Sequence, residues 1–253
     1  MDNKPIVENI RGFLEQEKNC GKNLSSYQSL LIHNNSIPAS NIKIGLKKYK
    51  DIILEDETGL ELGGVNRKSF SIVIPLKISN LINHGIITLL GREVDKITES
   101  SIDFGIIILV ELLKNAQINE DEVRQMNFIS NGIEGFSIRT IPRRFWCRIS
   151  KSALQKGFSF EFLGTAIISL YKQKYLEKIR AIEVIFINSY LSSIDQIVTL
   201  TADISNKHKE KWKKKIDEWR KRIDCDYDWG CDICPYREEC YDIKQVLISR
   251  EEL

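Results

Sequence analysis

Apolar positions along the chain change their period twice. In PIVENIRGFLEQ, Ile6, Ile10 and Phe13 recur at helical intervals, which predicts a helix; SSYQSLLIH is expected to follow as a short second one. NNSIPAS, with Pro38, then breaks the pattern, so residues 1–40 read as a helical N-terminal arm. From about Asn41 the texture turns to short runs rich in Ile, Val and Phe, separated by breaks containing Gly, Asn or Asp. These are IKIGLKKYKDIIL, GLELGGV, SFSIVIPL, GIITLLG and FGIIILVELL. Runs of this kind at regular spacing predict strands. NEDEVRQMNFISNGIEG returns to helical character with acids at its start, as the helix dipole favours. RRFWCRIS predicts a strand, and SKSALQKGFSFEFLGTAIISLYKQKYLEK a helical segment with Phe162, Ala166, Ile167 and Leu170 on one face. IRAIEVIFINS predicts a buried strand. The expected fold class is α+β, with a mixed α/β central domain over residues 41–195.

Beyond that domain the helical pattern becomes steadily more charged. A helix is expected over 196–224, leading into a small cysteine module over 225–253. Its residues 207–222, KHKEKWKKKIDEWRKR, set nine Lys or Arg against three acids. Basic residues interleaved with Trp212 and Trp219 could grip nucleic acid. Helical spacing of Trp212, Ile216 and Trp219 points instead to a helix docked on the body, with its charges on the wet face. A negatively charged protein partner suits that face. Nucleic acid is the weaker reading, because a net charge of +2 gives no global field to attract it.

The composition, 42% hydrophobic and 28% charged, is that of an ordinary soluble protein. The segment MDNKPIVENIRGFLEQEKN lacks the apolar stretch of a signal peptide. No apolar run approaches the roughly 20 residues that span a bilayer. A cytoplasmic location without membrane contact is expected.

That expectation bears on CDYDWGCDICPYREEC, residues 225–240, which places Cys225, Cys231, Cys234 and Cys240 in one short run. In a reducing compartment clustered thiols are a metal site more often than a disulfide framework. Iron–sulfur clusters take four thiolates, often from C-x2-C with a proline beside a ligand, and CDICP has both features. Structural zinc also takes four thiolates, usually as two short-spaced pairs, whereas only one such pair is present here. A [4Fe–4S] cluster and a zinc ion both remain open on spacing alone.

RTIPRRFWCR gathers Arg139, Arg143, Arg144 and Arg148 around Trp146. Guanidinium groups match phosphate oxygens and stack on aromatic rings. Strand alternation puts Arg144, Trp146 and Arg148 on one face and Arg143, Phe145 and Cys147 on the other, with Cys147 directed to the core. The competing reading is a half-buried strand with solvated arginines. His33, His84 and His208 are scattered, and no catalytic triad, paired carboxylates or phosphate loop is present. Any chemistry then belongs to a metal centre or a partner.

From about Gly59 to Cys240 the chain resembles the acetyl-CoA synthase family, the β subunit of CO dehydrogenase/acetyl-CoA synthase. The resemblance runs through LELGGV, SFSIVIPL, GIITLLGREVDK, FGIIILVEL, WCRISKSALQKGF and WGCDIC in the family's order and with similar gaps. WCRISKSALQKGF, from Trp146 to Phe158, is its most specific piece. The resemblance implies a middle domain joined to a cluster-binding region. It places the clustered cysteines where the family ligates iron–sulfur and so favours [4Fe–4S] over zinc. It also implies a coenzyme A site at Trp146 and its arginines, Arg143, Arg144 and Arg148. The match fails just upstream, at Ile141, Pro142 and Arg143, and the chain has no Cys-Gly-Cys to hold nickel. The expected function is an iron–sulfur protein of anaerobic one-carbon or acyl metabolism, acyltransferase-like or an accessory redox component. It is not expected to be a complete acetyl-CoA synthase. The alternative is a zinc-stapled binding module acting through its basic helix.

Overall fold

The computed structural model describes residues 3–29, 41–46, 53–64, 66–77, 80–141, 144–188 and 190–202. The fold is α+β. Its centre is β6 (Phe104–Leu112) beside β9 (Ile179–Asn188), antiparallel neighbours in register from Phe104 with Asn188 to Leu112 with Ile179. FGIIILVEL is buried at every position. Both strands are covered on both faces, which is why their sequences run almost continuously apolar instead of alternating. The order across this five-stranded sheet is β1 (Leu24–Gln28), β4 (Ile86–Leu90), β9, β6, β3 (Ser69–Leu76). β3 with β6 and β4 with β9 run parallel. Pro75 sits on β3, an end strand of that order, where a missing N–H costs no ladder bond.

A second sheet orders β5 (Ser101–Ile102), β2 (Thr58–Gly63), β8 (Arg144–Ser150), β7 (Phe136–Ile141). The chain passes between the sheets at Asp103, from β5 straight into β6. There Phe104 stacks against Phe145 of the second sheet, with ring centroids 6.5 Å apart, and against Phe186 of the first at 6.0 Å.

Helix α4 (Phe160–Tyr175) is buried around nearly its whole circumference, as a helix that is apolar on every side should be. Gly164 lets it approach β4: a Cβ there would lie 2.7 Å from Ile87 Cγ1. The expected single helical segment over 150–178 is two helices, α3 (Lys151–Gln155) and α4. The break comes at Gly157, whose φ of 81° ends the first, and at Ser159, whose side chain caps the second at the Phe162 N–H. Before them α2 (Glu120–Met126) opens with a reciprocal cap: Glu122 N–H donates to Asn119 Oδ1 and Asn119 N–H to Glu122 Oε2.

The N-terminal segment does not stand apart as an arm. Helix α1 (Lys4–Asn19) buries Val7, Ile10, Phe13 and Leu14, and α5 (Leu191–Leu200) buries Ile194 and Ile197. The two helices are tied where Lys22 Nζ reaches Glu17 Oε2 at 2.5 Å and Ser193 Oγ at 2.9 Å. The short helix expected after α1 is instead strand β1, paired antiparallel with β4 from Leu24 with Leu90 to Gln28 with Ile86. LSSYQ has too few apolar positions to show a strand's period; the open edge of β4 recruits it. Of the expected run at 42–54, the described part forms only a bridge from Ile44 to Ile133. Of the charged helix expected over 196–224, residues 196–200 belong to α5, and 203–224 lie outside the described residues.

On the face of the large sheet that carries Glu183, Arg11 of α1 approaches that carboxylate at 3.4 Å, and the Asn83 N–H donates to it at 2.5 Å. Burial nevertheless pushes the Glu183 carboxyl above its usual 4.5. The folded protein therefore holds this proton more tightly than the unfolded chain. The contribution is fully present below about pH 4.5 and is lost as pH rises through the raised value. Thermal melts of Glu183→Gln against wild type across that window are expected to show the variant gaining relative stability as pH rises. A difference independent of pH would show that the carboxyl is not perturbed.

Candidate ligand-binding site

Alternation along RFWCRIS, set by the strand's two-residue period, sorts β8 into two faces. Phe145 (5% exposed), Cys147 (1%) and Ile149 (0%) point into the core, as expected for Cys147. Burial pushes the Cys147 thiol well above its ordinary range, so it is held as an inert core group. Trp146 and Arg148 lie on the outer face. Register places them in two rows across the sheet: Ser137 of β7, Arg148 and Glu61 of β2 in one, and Arg139, Trp146 and Gly63 in the next.

Arg148 is committed within the fold. Its Nε donates to Glu61 Oε1 at 3.2 Å and its Nη1 to the Ile53 carbonyl at 3.1 Å. A guanidinium tied to a carboxylate and a carbonyl is not poised to grip a phosphate, so the sequence-level picture of a free arginine beside Trp146 does not hold for Arg148. Trp146 differs. Its Nε1 is shielded from solvent and has no hydrogen-bond partner; among the described residues the same is true of Ser137 Oγ, on the same face, and of side-chain oxygens of Glu93, Glu111, Thr165 and Tyr175. Gly63, opposite Trp146, presents no side chain beside the indole. Ser137 was not legible as a site residue: it is a serine in a strand that itself carries no strong periodicity. Arg144 opens β8; its side chain and the whole of Arg143 lie outside the described residues.

Ile53, which accepts from Arg148, also lines a cleft of about 690 Å³ with Ile42, Glu134, Lys151 and Lys156. Its volume falls in the range of small-molecule sites. Lys156 and Glu134 pair across it at 2.6 Å, and Lys151 Nζ donates to the Asp56 carbonyl at 2.7 Å. Lys151 and Lys156 belong to WCRISKSALQKGF, so the most specific stretch of the sequence supplies both the Trp146 face and one wall of this cleft.

Cys225, Cys231, Cys234 and Cys240 lie outside the described residues, as does the basic run 207–222. Among the described residues no group of three or more His, Cys, Asp or Glu is arranged to hold a metal ion. Cys20 and Cys147 are free thiols there. No described helix is long and apolar enough to cross a membrane.

Comparison with known proteins adds a family. The CO dehydrogenase/acetyl-CoA synthase complex beta subunit family matches residues 41–190, more than half of the chain and nearly all of both sheets. The acetyl-CoA decarbonylase/synthase complex subunit beta of Methanopyrus kandleri is 28% identical over 95 residues, 38% of this chain. That match covers 20% of the length of the curated relative.

Proposed function

The chain belongs to the CO dehydrogenase/acetyl-CoA synthase complex beta subunit family, and from that premise we propose that it is an iron–sulfur protein with a coenzyme A site, working inside a larger assembly. The observation that carries the ligand site is the buried, unpartnered indole N–H of Trp146, lodged within the family's matched region beside a second orphaned group. Buried polar atoms without partners are rare in folded proteins. A ligand that brings its own acceptor resolves the anomaly. Trp146 is the central contact, and Arg144 and Arg143 supply charge for the phosphates. Arg148 acts through Glu61 to hold β8 against β2, and contributes to the ligand by position rather than by a free guanidinium.

The donor chemistry of Cys225, Cys231, Cys234 and Cys240 fits a [4Fe–4S] cluster: four thiolates, one C-x2-C pair, and a proline after the third. Bound there, the cluster would supply electron transfer. Complete acetyl-CoA synthesis is not part of this reading. The relative carries the name of a complex subunit, and the basic run 207–222 is the surface proposed for an acidic protein partner.

Anaerobic purification with iron and zinc analysis and a visible spectrum tests the cluster. A brown protein with about four iron per chain is expected. A colourless protein with one zinc overturns it in favour of a zinc-stapled binding module.

A further inference from the structure

Two orphaned polar atoms share the outer face of the second sheet. Ser137 is 6% exposed, and neither its Oγ nor Trp146 Nε1 has a hydrogen-bond partner. Ser137 pairs with Arg148 in register and Trp146 with Arg139. Ser137 and Trp146 are therefore diagonal neighbours on adjacent antiparallel strands, about 7–8 Å apart and within reach of one bound group.

The surroundings restrict what that group is. Arg148, in the row of Ser137, is already bonded to Glu61 and to the Ile53 carbonyl. Glu61 brings a carboxylate to the same row. An anion placed in this row would meet that carboxylate with the guanidinium of the row, Arg148, already engaged. A neutral ligand group meets no such penalty. Indole N–H can only donate, whereas a serine hydroxyl donates or accepts. An amide answers both, its carbonyl accepting from Trp146 and its N–H donating to Ser137.

We propose that Ser137 and Trp146 bind a neutral amide of the ligand, which in coenzyme A is the pantetheine arm and not the nucleotide. The assignment rests on the coenzyme A reading above. It adds Ser137 as a binding residue and divides the ligand, with the amide arm at Ser137 and Trp146 and the phosphates outside the row of Ser137, Arg148 and Glu61.

Calorimetry of the full chain with coenzyme A, pantetheine and 3′,5′-ADP separates the possibilities. Trp146→Phe keeps an aromatic ring but removes the pyrrole half with its N–H; Ser137→Ala removes only the hydroxyl. Each is expected to weaken coenzyme A and pantetheine about three- to tenfold and to leave 3′,5′-ADP unchanged. The melting temperature of free Ser137→Ala is expected to stay level or rise, because the deleted hydroxyl had no partner to lose. If coenzyme A binds wild type and both variants equally, or if the loss falls equally on 3′,5′-ADP, the amide assignment is wrong while the coenzyme A reading stands. A lowered melting temperature in Ser137→Ala would mean that the hydroxyl serves the fold, through a trapped water for example, and also overturns it. No binding of coenzyme A to wild type at millimolar concentration removes the underlying reading, and the amide assignment falls with it.

Discussion

Changing Cys231 or Cys234 to Ser is expected to remove essentially all bound metal. The two form the C-x2-C pair at the centre of the cysteine run. A serine hydroxyl stays protonated near neutral pH and does not replace a thiolate as a soft ligand. With either one gone, three thiols remain, and the short-spaced pair that seats a cluster is broken. Metal per chain and visible absorption after anaerobic purification give the readout. Cys20→Ser and Cys147→Ala are the controls. Cys20 is exposed and outside the run, and Cys147 is a core thiol, so both should keep the full metal content. If Cys231→Ser and Cys234→Ser also keep it, the ligands lie elsewhere.

Phe104→Ala is expected to cost about 3–5 kcal/mol of stability, the range for truncating a buried phenylalanine. The side chain is 0% exposed. Besides its contacts with Phe145 and Phe186 it lies 5.9 Å from Phe160 at the start of α4, and Phe160 in turn lies 5.3 Å from Phe186. One ring thus joins both sheets and the central helix, and the surrounding rings are held by three different elements. A cavity there cannot collapse without moving all of them, which places the cost at the upper end of the range. For a unit of this size each kcal/mol lowers the melting temperature by about 2–4 °C, so the loss is readily measured by thermal or urea unfolding. A loss below about 1 kcal/mol would show that the core repacks and that Phe104 is not the joint between layers.

The strongest elements were those whose local pattern survives in any context. FGIIILVEL and IRAIEVIFIN are apolar at nearly every position, and a run of that length without helical spacing is a strand buried on both faces. In α4 the apolar residues exceed one helical stripe, and the helix is buried accordingly. Alternation alone put Cys147 inward and Trp146 and Arg148 outward, because the two-residue period belongs to the backbone itself.

What needed the tertiary structure was every feature defined by a partner far along the chain. LSSYQ and FSIRTI become β1 and β7 because β4 and β8 offer unpaired edges, a fact absent from either segment. Arg148 reads as a free cation until Glu61, 87 positions away, and the Ile53 carbonyl are brought to it. Ser137 is an unremarkable serine until register sets it diagonal to Trp146 with its hydroxyl unanswered. Local periodicity follows from the geometry of one strand or one helix turn. Which groups meet across a sheet follows from register, and register is decided by the packing of the whole core.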